Sequence, residues 1–290
     1  MMIYMPGRRT RKRRWESGAS VNPTRRFGRS RRFRQFFLAG FLATVSLSHA
    51  TSIVILRSPH GTKIVVASDS QFSIDSASPV SGCKIVQIEK TFWTAISGLA
   101  SEPGTSFNAY QIVLNASSHG LDLDDIVSEA QARTLATLPS ALKHRRKAIG
   151  EQAFRQQYKE GFDAHEEAFW GLENGTLRLI YVQYLLHRGR FGKLSLSPVV
   201  HKCPGDACAD PASGLGVFLG HHKIIDKFTA ENPDWPKQAA METQAQRFVQ
   251  MEIDSEPDCH CSLPVAVLRM DRQGNTNWIG ETGRLCRSPN

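Results

Sequence analysis

Thr51 is the residue of this chain best suited to nucleophilic chemistry, because it lies where proteolytic processing would make it the first residue. Ser48 and Ala50 are small residues at the positions that a signal peptidase prefers before its cut. They follow an apolar run over residues 36–47. A cut after Ala50 would give Thr51 a free α-amine beside its own hydroxyl, so that a nucleophile and a base share one residue. The sequence therefore predicts an N-terminal nucleophile at Thr51.

Residues 1–50 form the predicted export segment, and residues 51–290 form one predicted domain. The export segment carries twelve Lys or Arg residues and a single acid, Glu16. Its apolar run has twelve residues, whereas a membrane-spanning helix needs ~20. We therefore expect a cleaved signal peptide and a periplasmic or extracellular protein. The alternative is a protein that keeps residues 36–47 as a membrane anchor.

The formal charge of +9 comes from the export segment and not from the predicted domain. Residues 51–290 contain 24 basic and 26 acidic residues, which leaves a net charge of −2. A nucleic-acid-binding protein would carry its excess of basic residues on the folded domain. We therefore expect no nucleic acid partner, and the same charge balance argues against a strongly acidic substrate.

Disulfide bonds are the expected role of the six cysteines, because an even number in an exported chain is typical of them. We expect Cys203 and Cys208 to form one pair, and the pairing of the other four stays open. The alternative is a zinc site with ligands drawn from Cys203, Cys208, Cys259, Cys261, His221, His222 and His260. The Cys-x4-Cys and Cys-His-Cys spacings suit one zinc ion poorly. We therefore expect neither a metal nor another cofactor.

The hydrophobic pattern of the domain predicts an order of strands, helices, strands, helices and strands. Runs rich in β-branched and aromatic residues predict strands at 51–56, 63–69, 84–88, 91–97, 168–171, 177–184, 194–200, 263–270 and 276–279. Apolar residues three and four apart predict helices at 105–116, 123–138, 141–162 and 237–251, with Pro139 as an interruption, and a helix start at 221–225. This order suits an α+β fold in which two sheets carry helices on their outer faces.

Four places in the chain resemble the proteasome β-subunit family of N-terminal-nucleophile hydrolases. Residues 51–54 (Thr-Ser-Ile-Val) are similar to the Thr-Thr-hydrophobic-hydrophobic start of that family, and residues 67–71 (Ala-Ser-Asp-Ser-Gln) to its Ala-Gly-Asp-x-Gln strand end. Lys84, fifteen residues after the aspartate, is similar to the catalytic lysine. Gly98, fourteen residues further on, is similar to the oxyanion-hole glycine. The resemblance implies a four-layer αββα sandwich.

The resemblance also implies a role for each matched residue in cleaving an amide bond. Thr51 would attack the carbonyl group while its α-amine takes the proton. Lys84, held by Asp69, would supply positive charge beside the hydroxyl, and the amide of Gly98 would donate to the oxyanion. Asp258 takes the place of the aspartate in the Asp-x-x-Ser-Gly-Gly segment of the family, where it would steady the α-amine. The implied substrate is a peptide or a small amide, and the implied assembly includes the option of a homo-oligomer.

Two segments depart from the family pattern. Gly220-His221-His222 replaces a turn of the Gly-Ser-Gly type. After Asp258, Cys261 replaces the serine of the family segment, and Ser262-Leu263 replace its two glycines. These groups normally support the free α-amine. Two alternatives therefore stay open: a non-catalytic protein that uses the sandwich for assembly or binding, and an amidase that acts on a small non-peptide amide.

Overall fold

A computed structural model describes residues 2–3, 51–72, 80–118, 122–159, 161–208, 214–237, 239–255, 261–280 and 286. These residues form a mixed α+β structure with two large, mainly antiparallel sheets and five α-helices. The strands are β1 (Met2–Ile3), β2 (Ser52–Arg57), β3 (Lys63–Ser68), β4 (Gln71–Phe72), β5 (Val80–Ser81), β6 (Ile85–Gln87), β7 (Phe92–Gly98), β8 (Asp163–Glu173), β9 (Thr176–Arg188), β10 (Leu194–Cys203), β11 (Gly214–Gly220), β12 (Ala266–Asp271) and β13 (Thr276–Ile279). The helices are α1 (Ala109–Ser117), α2 (Leu123–Ile149), α3 (Glu151–Gln157), α4 (Lys223–Glu231) and α5 (Met241–Ser255). The α+β class predicted from the sequence is thus confirmed.

The first sheet has the strand order β1-β11-β2-β3-β12-β13 and is antiparallel except where β1 pairs with β11. Its central strand β2 is buried on both faces. Ile53 and Ile55 enter an apolar cluster shared with the second sheet, and Val54 and Leu56 enter a cluster on the opposite face. A strand that is buried on both faces reads as a continuous apolar run. Because a shift of one residue would exchange these faces, the packing also fixes the position of Thr51 at the start of β2.

The second sheet is fully antiparallel, with the strand order β10-β9-β8-β7-β6. Along β9, Leu177 and Leu179 face the cluster shared by the two sheets, whereas Ile180 and Val182 face the cluster on the other side. Asn174 and Gly175 form the hairpin turn between β8 and β9, with positive φ values of 50° and 75° that are typical of such a two-residue turn. A short hairpin of β4 with β5 stands apart from both large sheets.

The helices cover the faces of the sheets that do not meet each other. Residues of α1, α2 and α3, including Ile126 and Phe154, share an apolar cluster with β7 and β9. Phe248 and Val249 of α5, with Ile225 of α4, share another cluster with β2, β3 and β12. Each fully buried aliphatic or aromatic side chain contributes ~1.5–3 kcal/mol, so the three clusters together hold the two sheets and their helices in place.

One predicted interruption is wrong. Helix α2 runs through Pro139 to Ile149, where Gly150 ends it with a positive φ of 84°. The predicted helix over 141–162 is therefore the second half of α2 followed by the separate helix α3. A proline inside a helix removes one backbone hydrogen bond. Leu138 and Leu142 on either side of it are fully buried, and their packing offsets that loss.

Two disulfide bonds join described cysteines, and the predicted pair of Cys203 with Cys208 is one of them. The other joins Cys83 to Cys286 across 203 residues, a pairing that the sequence left open. Because Cys203, Cys208 and Cys261 are all disulfide-bonded, the zinc alternative loses three of its four candidate cysteines. The described residues contain no cluster of three or more side chains that could hold a metal ion.

Within the same described ranges, no helix has the length and apolar character to cross a bilayer. The export segment lies outside the described residues, apart from Met2–Ile3.

Candidate active site

Thr51 and Asp69 lie beside each other because they flank the antiparallel pair of β2 and β3. Thr51 immediately precedes β2, and Asp69 immediately follows β3. The amide of Ser52 donates to Oδ1 of Asp69 over 2.8 Å, and the amide of Asp69 donates to the carbonyl of Ser52 over 3.2 Å. The Asp69 side chain is fully buried, and Thr51 is 7% exposed. The two hydrogen bonds therefore fix the carboxylate against the backbone that carries the candidate nucleophile.

Lys84 completes a group of three contacting polar side chains. It immediately precedes β6, an edge strand of the second sheet, whereas Thr51 and Asp69 flank strands of the first sheet. Its Nζ donates to both carboxylate oxygens of Asp69 over 2.8 Å and to Oγ1 of Thr51 over 3.0 Å. Lys84 is only 1% exposed. The structure thus joins three of the five predicted site residues, with Lys84 within hydrogen-bond distance of both Thr51 and Asp69.

The electrostatics of this group follow from its burial. Removal from water lowers the pKa of Lys84, and the negative charge and hydrogen bonds of Asp69 oppose that decrease. A buried ammonium group is tolerated where a carboxylate compensates it, and both oxygens of Asp69 do so here. An ammonium 3.0 Å from a hydroxyl oxygen favours the alkoxide form of that hydroxyl. The arrangement can therefore activate Thr51 as a nucleophile.

Gly98 ends β7 in a backbone conformation that excludes a side chain. Its φ is 83°, and a Cβ atom there would lie 2.7 Å from the carbonyl oxygen of Ala164 and 2.9 Å from Cα of His165. The residue before it, Ser97, has its Oγ 2.6 Å from the place of a Cβ atom on Gly220, and the same Cβ would overlap the carbonyl oxygen of Thr51. The structure therefore places Gly98 one residue from a side chain that lies near the candidate nucleophile. Its role as an oxyanion donor stays a prediction.

A second glycine holds the backbone of Thr51 from the other side. Gly220 ends β11 with a φ of 75°, and a Cβ atom on it would overlap the carbonyl oxygen of Thr51 and lie 2.6 Å from Oγ of Ser97. The next amide, that of His221, donates to the carbonyl of Thr51 over 2.7 Å. The turn at 220–221, which the resemblance compares with a Gly-Ser-Gly turn, therefore positions Thr51 through backbone atoms.

Glu166 is a site residue that the sequence did not predict. It lies opposite Ser97 in the pairing of β7 with β8, and its Oε2 accepts a hydrogen bond of 2.6 Å from the amide of Gly220. Burial, reinforced by the nearby charge of Asp163, raises the pKa of Glu166 to about 8. The sequence did contain a signal, since His165-Glu166-Glu167 places three ionisable side chains directly before a predicted strand. Buried charged residues of this kind have a structural or functional partner more often than not.

Asp258, the fifth predicted site residue, lies outside the described residues. The chain nearby does reach the site, because the amide of Ser70 donates to the carbonyl of Ser262 over 3.2 Å. Ser70 directly follows Asp69, so residue 262 lies next to the end of β3. The role of Asp258 in supporting the α-amine stays a prediction.

We expect Gly220→Ala to destabilise the protein more than Gly175→Ala, which serves as a matched control. Both glycines have a φ of 75°, so alanine costs ~1–2 kcal/mol of backbone strain at either position. A Cβ atom at Gly175 meets nothing within 4 Å, whereas one at Gly220 overlaps Thr51. That overlap should add ~1–3 kcal/mol to the loss in the free energy of unfolding, measured in urea. Equal losses for the two variants would contradict the close contact between Gly220 and Thr51.

The candidate site is defined by the contacts of Lys84 with Thr51 and Asp69. No protein-family model matches the chain, and no curated protein matches it significantly.

Proposed function

We propose that this chain is an amide hydrolase whose nucleophile is Thr51, freed as an N-terminal residue by cleavage after Ala50 in an export segment. The observation that carries the proposal is the contact of the Lys84 ammonium with Oγ1 of Thr51 at 3.0 Å, with Asp69 compensating its charge. The two sheets with helices on their outer faces support a four-layer αββα sandwich like that of proteasome β-subunits. In that proposal, the start of β2 is the site of the reaction.

The reaction would proceed through an ester of Thr51. The hydroxyl oxygen attacks the carbonyl carbon of the amide, and the α-amine of Thr51 takes the hydroxyl proton. The resulting oxyanion accepts a hydrogen bond from the amide of Gly98 and is stabilised by the nearby charge of Lys84. The C–N bond then breaks, and the leaving amine takes the proton from the α-amine. Water attacks the ester, releases the acid and restores the Thr51 hydroxyl.

The free α-amine is central to this proposal, since its ordinary pKa of ~7.7–8.0 suits a general base near neutral pH. In the unprocessed chain, that nitrogen belongs to the peptide bond with Ala50 and cannot accept a proton. Thr51, Asp69 and Lys84 all come from one chain, so the proposed chemistry does not depend on a homo-oligomer. The proposed substrate class is an amide, which includes peptides and small non-peptide amides.

The first residue of the mature protein provides the direct test. Protein recovered from the exported fraction is expected to start at Thr51, as judged by N-terminal sequencing and by intact mass. Replacing Ala50 with a bulky residue, as in Ala50→Phe, should block the cut because signal peptidase needs a small residue there. If the mature chain starts elsewhere, or if Ala50 and Thr51 stay joined, Thr51 has no free α-amine to act as the base. Either result would favour the non-catalytic alternative.

A further inference from the structure

The turn between β9 and β10 presents a phenylalanine entirely to solvent. Phe191 is 104% exposed and adopts a positive φ of 62°, which is unusual for a bulky residue. Phe162, on the segment that precedes β8, is 62% exposed. In the described part of the chain, the other exposed large hydrophobic residues are Leu114 and Leu263. Two exposed phenylalanines near one end of a sheet are therefore available to contact a binding partner or to enter an apolar environment.

Hydrogen bonds to backbone carbonyls fix the segments of both aromatic residues to the same end of the second sheet. Nη1 of Arg146 donates to the carbonyl of Gly192 over 2.8 Å, which ties the turn to the end of α2. The amide of Leu186 donates to the carbonyl of Phe162 over 3.0 Å, which ties the segment before β8 to β9. We call residues 143–162 and 187–193 the basic tip. The described residues of the tip are held together by these hydrogen bonds.

The basic tip concentrates the positive charge of the domain. It contains nine Lys or Arg residues and two acidic ones, whereas the rest of residues 51–290 contains 15 basic and 24 acidic residues. Glu151, one of the two acids, already lies within 4 Å of three arginines: Arg146, Arg155 and Arg188. Six of the nine basic side chains are exposed: Lys143, Lys147, Arg155, Lys159, Arg190 and Lys193. The tip is therefore a positive surface on an otherwise acidic domain.

We propose that the basic tip binds the surface of a bilayer that contains anionic phospholipids, with Phe191 inserted among the headgroups. Exposed Lys and Arg side chains attract anionic headgroups, and an exposed aromatic side chain gains by entering the interface. The two disulfide bonds favour an oxidising compartment. In such a compartment, the large anionic surface that a protein meets is a layer of lipid headgroups and not nucleic acid.

The position of the tip gives this binding a defined orientation. Gly98 pairs with His165 near the start of β8, and the start of β8 pairs with Leu185 near the end of β9. The basic tip therefore extends from the same end of the second sheet that carries Gly98. Binding through the tip would turn that end of the sheet toward the bilayer. The inference does not depend on Thr51 being a nucleophile, because no residue of the candidate site belongs to the tip.

Sedimentation with vesicles tests the proposal on purified protein of established N-terminus. We expect binding to equimolar phosphatidylcholine and phosphatidylglycerol vesicles, weaker binding at high salt, and little binding to phosphatidylcholine alone. Arg190→Glu combined with Lys193→Glu should weaken binding by about 30-fold or more, and Phe191→Ser by about tenfold. Matched controls lie elsewhere on the surface. Leu263→Ser, and Lys90→Glu combined with Arg272→Glu, should change binding by less than about twofold.

Each other outcome would overturn the proposal. Equal binding to both kinds of vesicle would point to a retained apolar segment. An equal loss of binding in the tip and control variants would point to overall charge. Binding to a short DNA duplex but not to anionic vesicles would assign the tip to nucleic acid. All substituted residues are exposed, so we expect the variants to fold as the wild type does. Circular dichroism of each variant checks this, so that a loss of binding is not confused with unfolding.

Discussion

Lys84→Ala is expected to slow the acylation of Thr51 by ~10²- to 10³-fold, the effect typical of removing one charge or donor that stabilises an oxyanion. The ammonium group is the nearest positive charge that the structure places on Oγ1, at 3.0 Å. A strained β-lactone acylates a reactive hydroxyl without needing the natural substrate. The rate of its mass adduct on Thr51, together with turnover of a broad panel of fluorogenic peptides, measures the effect.

The Lys84 experiment needs controls for stability, because the lost ammonium leaves a buried carboxylate unpaired. Breaking such a pair costs ~3–5 kcal/mol, which could unfold the variant. Lys84→Met combined with Asp69→Asn removes both charges at similar volume and should restore the fold but not the reactivity. Lys84→Arg should also stay slow, since its planar head cannot occupy the place of a compact ammonium. Asp69→Asn alone should slow acylation less, because it weakens the placement of Lys84 without removing it.

A near-wild-type rate in any folded variant that lacks the Lys84 ammonium would contradict the proposed chemistry. Thermal melts and the N-terminus of each variant establish that the protein is folded and processed. Export processing acts on Ser48 and Ala50, so it should not respond to a change at Lys84. If the cut at Ala50 instead disappeared with Lys84, the chain would be cleaving itself. That result would still place Lys84 at the reacting bond.

Thr51 and Asp69 could be predicted as neighbours because each of them stands at the end of a strongly patterned strand. The apolar runs at 53–56 and 64–67 specify two central strands, and antiparallel pairing then brings their ends together. The same reasoning places Gly98 at the end of β7. Lys84 instead adjoins the short edge strand β6, which is only partly buried, and the resemblance to proteasome β-subunits, not local pattern, predicts its place in the site.

The parts of the site that the sequence did not predict depend on contacts between distant segments. Glu166 lies in β8, and its partner Gly220 ends β11, so no local pattern joins them. The predicted strand begins at residue 168, whereas β8 begins at residue 163. The difference arises because the ionisable residues His165, Glu166 and Glu167 are of types that are rare in buried strands. Their burial is compensated by tertiary partners; Glu167, for example, accepts hydrogen bonds from the hydroxyl of Thr134 in α2 over 3.1 Å and from that of Tyr184 in β9 over 2.9 Å. Helix α2 likewise continues past Pro139 only because its neighbours pack against the second sheet.

Thr51→Ala is expected to have the largest effect of all, lowering acylation and hydrolysis by at least ~10⁴-fold, because it removes the atom that forms the covalent bond. Its cost in stability should be ~1.5–3 kcal/mol, the usual contribution of a hydrogen bond to a charged group, because the Thr51 hydroxyl accepts a hydrogen bond from the Lys84 ammonium. Thr51→Ser keeps the hydroxyl and the α-amine, so it should retain measurable activity. Rates of lactone labelling and of peptide turnover, with urea unfolding of each variant, provide the comparison.

Ser52→Ala is the matched control for Thr51→Ala. Ser52 is the next residue, its side chain is also buried, and its Oγ has no hydrogen-bond partner among the described residues. Losing this hydroxyl should leave labelling and turnover within about twofold of wild type, because it takes no part in the contacts of Lys84. Peptide mapping of the labelled protein should find the adduct on Thr51 alone. Labelling that survives Thr51→Ala, or that maps to another residue, would place the chemistry elsewhere and leave the buried pair of Lys84 and Asp69 with a structural role only.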